Sequence, residues 1–175
     1  MKKRSQGFTL IELLVVLAIL AILMGISIPG VGAIKRNLVK SQARTDAISI
    51  ATVLSSYRNE YGRWPSWSGV DASGENRTDA AWVAVMSAED AGPTPFSAYR
   101  VHNAKMVRFW TQDPASLDAS GALVDPWGRA YYYKFDRNGD GSVTSPDEKD
   151  EDASIHASVI VWSLGPDGKT FIKSW

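Results

Sequence analysis

The chain has 175 residues, 19 Lys and Arg against 19 Asp and Glu, and no Cys. That length accommodates one soluble domain plus an anchor, and the missing Cys excludes disulfides, thiolate nucleophiles and Cys-based zinc sites. Residues 1–44 hold seven Lys or Arg and one acid, so a +6 end precedes a −6 remainder; a basic end flanking an apolar run fits a membrane orientation signal, and the acidic remainder argues against nucleic acid as a partner.

From Gly7 to Gly30 the chain reads GFTLIELLVVLAILAILMGISIPG. Leu13 to Ile34 carries no charge over 22 residues, a helix of roughly 33 Å against a bilayer core of about 30 Å. A cleaved secretory signal would have a shorter apolar region ending in a small-residue cleavage site. A plain single-pass anchor leaves Glu12 unexplained, because a carboxylate in lipid is costly and is usually paired. Cleavage between Gly7 and Phe8 would place a new α-amino group one helical turn from Glu12. A neighbouring copy could supply the same amine, which makes Glu12 a pairing device between helices.

Beyond Pro29, apolar residues recur at Ile34, Leu38, Ala47, Ile50, Leu54, Tyr57 and Tyr61, mostly in steps of three or four, until Gly62 and Pro65. One helix is therefore expected from Phe8 to about Tyr61, kinked near Pro29 and Gly30, with its second half packed on a soluble domain. Residues 62–122 are rich in Gly, Ser, Asp and Ala, with scattered aromatics. Within them Thr78–Glu89 reads as a short helix, capped by Thr78 or Asp79, with Ala81, Trp82, Val85 and Met86 on one face. Tyr99–Phe109 is strand or irregular. Ala130–Phe135, Ser158–Leu164 and Thr170–Trp175 read as strands, with the turn Gly165-Pro166-Asp167-Gly168 between the last two. The expected fold class is α+β, a long N-terminal helix packed on a small antiparallel sheet.

The segment Gly7-Phe8-Thr9-Leu10-Ile11-Glu12, preceded by Met1-Lys2-Lys3-Arg4-Ser5-Gln6, resembles the type III signal of type IV pilins and type II secretion pseudopilins. Asp125-Pro126-Trp127-Gly128 with Ala130-Tyr131-Tyr132, then Ser163-Leu164-Gly165-Pro166-Asp167-Gly168, resemble the major, G-type pseudopilin. Tyr57–Pro65 is similar to the segment that follows the family's helix, with Trp64 where Tyr is usual. The middle, 66–122, departs from the family.

The resemblance implies a leader at 1–7, a transmembrane and polymerisation helix at 8–34, and a soluble domain at 35–175. That domain divides into a helix at 35–62, a variable region at 66–122 and a sheet with a calcium loop at 123–175. It implies cleavage after Gly7, N-methylation of Phe8, and assembly through Glu12 and the helix-bending Pro29. The implied partners are copies of itself in a helical filament, minor pseudopilins, an inner-membrane assembly platform, a prepilin peptidase and the membrane. The implied location is the bacterial inner membrane, with the C-terminal domain in the periplasm. A surface pilus subunit is the alternative within the class, and a membrane-anchored calcium-binding module the alternative outside it.

Asp136-Arg137-Asn138-Gly139-Asp140-Gly141-Ser142 follows the template D-x-[DN]-x-[DN]-G of a calcium loop. Asp136, Asn138 and Asp140 would ligate at positions 1, 3 and 5, the Ser142 carbonyl at 7, and Asp147 at 12. The alternative is an Asn-Gly/Asp-Gly turn followed by a solvated acidic run. The crowding of Asp147, Glu148, Asp150, Glu151 and Asp152 favours a cation nearby. The family resemblance adds the Leu164 carbonyl and Asp167 as calcium ligands, and no acid follows Asp167 to complete that set. A single ion shared with the 136–147 loop would supply the missing oxygens. His102 and His156 sit in no catalytic or metal-binding spacing, and no catalytic residues are expected.

Overall fold

The computed structural model describes residues 8–27, 31–67, 70, 74–150 and 154–175. Two compact units emerge, residues 1–38 and 39–175. Helix α1 spans Leu10–Ser27 and helix α2 spans Val31–Tyr61. The expected bend at Pro29 and Gly30 and the expected cleavage position at Gly7 lie outside the described residues. Among the described residues no helix is long and apolar enough to cross a membrane. The 18 residues of α1 rise about 27 Å, just short of a bilayer core of about 30 Å. Every side chain from Phe8 to Met24 is exposed, and most are Leu, Ile or Val.

In α2 the expected stripe holds only in part. Ala43, Ala47, Ile50, Leu54 and Tyr57 are fully buried, whereas Ile34 and Leu38 are exposed. The i, i+3, i+4 pattern therefore covers a core only from Ala43 onward. Tyr61 is half-buried, and Gly62 closes the helix with its N–H on the Arg58 carbonyl at 2.7 Å. Gly62 has φ +67°, a conformation glycine adopts without cost.

The main sheet has four antiparallel strands in the order β1-β2-β5-β6: Asn76–Arg77, Tyr132–Phe135, Val159–Ser163 and Ile172–Lys173. The three strands expected from the C-terminal third are present. Alternation along them separates two cores. Tyr133, Phe135, Val159 and Val161 join Ala47, Ile50, Leu54 and Tyr57 of α2. Ile160 and Trp162 face the other way, against Val143 of β3 (Val143–Thr144) and Ile155 of β4 (Ser154–Ile155), which pair as a second small sheet. Burial on both faces explains why β5 reads as a continuous apolar run rather than an alternating one.

Helix α3, Ala80–Ser87, is capped by Asp79, whose carboxylate accepts the Trp82 N–H at 2.8 Å. Thr78, the other cap candidate, instead donates its hydroxyl to the Leu123 carbonyl. Every residue from Ala81 to Ser87 is buried, so the helix has no solvent face and the expected single apolar face is corrected to an apolar surround. Tyr99–Phe109 forms no strand: it holds a 3-10 turn at Arg100–Asn103, and a second 3-10 turn, Phe96–Ala98, precedes it. The 66–122 region thus contributes edge strand β1 and core helix α3, and is integral to the fold.

Candidate functional site

Thr9 and Glu12 form a closed cap on α1. The Glu12 carboxylate accepts the Thr9 N–H at 2.8 Å and the Thr9 hydroxyl at 2.7 Å, both on Oε2. The Thr9 hydroxyl oxygen in turn accepts the Glu12 N–H at 3.3 Å. Thr-x-x-Glu is the capping-box spacing, which satisfies orphan helix N–H groups reciprocally. The signal stands in the sequence as Thr9-Leu10-Ile11-Glu12, and it gives Glu12 a local role beside the expected pairing. Glu12 lies four positions after Phe8, and its carboxylate is bonded to Thr9, the residue that follows Phe8.

The two turn motifs meet in space. Asp125 is buried, and its Oδ1 accepts the N–H groups of Trp127 and Arg129, each at 2.9 Å. Its Oδ2 accepts the Ser163 hydroxyl, and Ser163 Oγ accepts the Gly165 N–H at 3.2 Å. The Arg129 guanidinium donates to the Gly165 carbonyl. Gly165 has φ +58°, and a Cβ there would lie 2.8 Å from the Thr170 carbonyl oxygen. Only glycine fits this strand-to-turn junction. One carboxylate therefore organises both the Asp125-Pro126-Trp127-Gly128 turn and the end of β5.

Six of the seven candidate calcium ligands are hydrogen-bonded at three separate places, the 136–142 turn, the Lys173 ammonium and the 167–170 turn. Asp136 is buried and takes the N–H groups of Gly139 at 2.8 Å and Gly141 at 2.9 Å. Asn138 donates to Asp140, and Asp140 also accepts the Ser142 hydroxyl and N–H. The Ser142 bonds and the Asn138 amide hold the Asp140 carboxyl below its ordinary range. Gly141 at φ +82° makes the sharp turn expected at position 6. The second network ties Asp147 to Lys173 at 2.8 Å, and Asp150 pairs with the same ammonium. The third folds Asp167 onto Thr170 and the Lys169 N–H within its own turn, depressing its pKa strongly. Leu164 packs with the second apolar cluster. Among the described residues no three His, Asp or Glu side chains gather as a metal-holding group. The oxygen-only set of the 136–142 turn has the chemistry calcium takes, and position 12 is engaged by Lys173.

Asn103, marked by no motif, is the main polar anchor of the middle region. It is fully buried. Its amide donates to the carbonyls of Val85 at 2.7 Å and Val107 at 2.8 Å. Its oxygen accepts the Val107 N–H at 3.0 Å and the Tyr61 hydroxyl at 2.7 Å. His102 next to it lies edge-on to Trp67, and burial, then the nearby Arg63 charge, lower its pKa.

Residues 2–28 match the prokaryotic N-terminal methylation motif. The type II secretion system core protein G of Pectobacterium carotovorum subsp. carotovorum is 24% identical over 94% of this chain and 78% of its own length. That of Klebsiella pneumoniae is 25% identical over 95% of this chain and 88% of its own. The chain is a homologue of type II secretion core protein G. It is also related to the type IV major pilin protein of Myxococcus xanthus, 35% identical over 37% of this chain and 30% of the pilin. No solved structure matches the chain. In this homologue of core protein G the α+β architecture follows the pilin-like plan, an N-terminal helix and a small antiparallel sheet.

Proposed function

We propose that the chain is a pseudopilin subunit of a type II secretion-like machine. The carrying observation is the methylation motif at the N-terminus joined to likeness with core protein G along almost the whole chain. The pilus alternative rests on a match confined to about a third of the chain, and is the weaker reading.

A prepilin peptidase cuts between Gly7 and Phe8 and the Phe8 amine is methylated. The apolar run from Leu13 to Ile34 holds the precursor in the inner membrane in a single pass, with the C-terminal domain in the periplasm. Subunits then pack helix to helix, with the bend at Pro29 and with Glu12 neutralising a Phe8 amine. The resulting short filament, together with minor pseudopilins and the assembly platform, supports protein export. The role is structural rather than enzymatic.

Intact mass and N-terminal sequencing of the chain purified from membranes test this reading. The expected product starts at Phe8 and carries one added methyl group, and deletion of the gene blocks export of secreted proteins. A chain that retains Met1–Gly7 in cells that assemble the machine refutes it.

Calcium belongs to the same proposal as a structural ion of the 136–142 loop, with Asp136, Asn138, Asp140 and the Ser142 carbonyl as ligands. Closure by Asp147 then requires Lys173 to release that carboxylate. Sharing of the ion with Leu164 and Asp167 requires those residues to leave the turn that Asp167 now caps. Calcium is expected to raise the melting temperature, because a ligand at 100-fold its Kd adds about 2.7 kcal/mol. Asp140→Ala should abolish that rise. Loss of the rise in Asp167→Ala supports the shared ion, and a rise unchanged in both variants removes calcium from the loop.

A further inference from the structure

Where α2 ends, Arg58, Arg63 and Arg137 line one open cleft of about 370 Å³ together with Trp64 and Asp136. Trp64 builds the floor. Its ring stacks on Phe135 with centroids 4.5 Å apart, its indole N–H bonds the Asp136 carbonyl at 2.9 Å, and Arg58 lies over it at 4.6 Å. The only carboxylate in the lining is that of Asp136, and it is spent on the N–H groups of Gly139 and Gly141. Among the described residues no ion pair reaches any of the three arginines. Three arginines without an ion pair among the described residues, beside a rigid aromatic floor, suit a carboxylate ligand.

The same chain carries a matching surplus elsewhere. Residues 147–152 read DEKDED, a net −4. Lys173 neutralises Asp147 and Asp150, while Glu148 is exposed and makes no ion pair among the described residues. Lys173 belongs to edge strand β6, and Trp175 just beyond it accepts a bond from Arg44 of α2 at 3.3 Å. Arg58 lies 14 residues farther along that helix, about 21 Å at the helical rise. The two opposite charges therefore sit at well-separated levels of α2 and leave each other unpaired. Two different complementary patches on one subunit make a head-to-tail contact, which propagates along a filament instead of closing a dimer.

We propose that the arginine cleft receives the acidic 147–150 segment of a neighbouring copy, with Glu148 as the carboxylate that seats there. This deepens the pseudopilin reading and rests on it. The contact sets register between globular domains, while the N-terminal helices supply the apolar packing.

The absence of Cys makes cross-linking clean. The full chain in membranes is treated with a short bis-maleimide, as Arg63→Cys, as Glu148→Cys and as the double variant, beside sedimentation of the wild type. The double variant is expected to give a ladder of multimers and each single variant none. Mixing the two single variants should give dimers only. Arg63→Glu should lower the sedimenting fraction, and Glu148→Arg in the same chain should restore it. A wild type that sediments while the double variant gives no ladder overturns the cleft contact and leaves the pseudopilin reading standing. A self-linked dimer of Arg63→Cys alone overturns it in favour of a closed contact. A wild type that does not sediment, with a double variant that gives no ladder, overturns both.

Discussion

Asn103→Ala is expected to remove about a third of the stability of the domain. The side chain makes four hydrogen bonds, to the Val85 and Val107 carbonyls, the Val107 N–H and the Tyr61 hydroxyl. Each contributes about 1 kcal/mol net, and the groups left behind are shielded from water. The loss should reach about 3–4 kcal/mol, against a typical total of 5–15 kcal/mol. The position explains the size. Helix α3 ends at Ser87 with Ala88 in the left-handed region, so its last carbonyls lack helical partners. The middle region supplies them: Asn103 reaches the Val85 carbonyl, and the N–H groups of Phe109 and Trp110 reach that of Met86 at 2.8 and 2.9 Å. Tyr61 joins the same knot to the end of α2. Urea unfolding of the full chain in detergent, followed by Trp fluorescence, measures the loss. Asn103→Asp is the control. It keeps both acceptor bonds but turns a carboxylate oxygen towards two carbonyls, and should be at least as harmful as Ala. A loss below about 1 kcal/mol in both variants refutes the claim that this knot fastens residues 66–122 to the core.

Asp125→Ala should cost about 2–3 kcal/mol, because three donors lose a buried acceptor at once. Asp125→Asn, which keeps one acceptor oxygen, should cost less in the same urea titration, and equal costs would refute the capping role. Lys173→Met should lower the melting temperature most between about pH 4 and pH 10. Bonds from Lys173 depress the Asp147 and Asp150 pKa values, so their contribution is present above the ordinary carboxylate range and is lost as pH falls through the lowered values. Burial works against the Lys173 charge but the two carboxylates prevail and raise its pKa, so its contribution is full below about pH 10 and is lost as pH rises through the raised value. The gap between wild type and variant should narrow at both ends, and a gap independent of pH removes the ion-pair explanation.

What the sequence made legible was local and repetitive. The apolar run, the β-branched β5 and the Asp79 cap of α3 each announce themselves within a few residues, and the structure has them where expected. The D-x-N-x-D-G stretch also predicted its own backbone, since Gly141 turns where position 6 must. The missed features are defined by distant partners. Strand β1 is two polar residues, Asn76 and Arg77, and is a strand only because Tyr132 and Tyr133 lie beside it. Asn103 sits in an irregular stretch, and its role depends on a helix end 18 positions earlier. Ile34 and Leu38 continue the periodicity of α2 yet cover no core, because periodicity reports a face and leaves open what that face meets.

Glu12 has a local role in the α1 cap and a proposed role in pairing with a neighbour, and the two are separable. Both bonds from Thr9 fall on Oε2, and among the described residues none reaches Oε1. One oxygen therefore caps α1 while the other stays available to a neighbour's amine, and assembly need not break the cap. The cap also answers how an isolated subunit tolerates a carboxylate beside an apolar run: the charge rests on the N–H and hydroxyl of Thr9 at the start of its own helix. Glu12→Gln divides the roles. Its amide oxygen can still accept from Thr9, but it carries no charge to neutralise a Phe8 ammonium. If pairing drives assembly, Glu12→Gln should insert into membranes and be processed normally, yet sediment no better than Glu12→Ala. If capping alone matters, Gln should restore sedimentation to the wild-type level, and the amine-pairing mechanism falls.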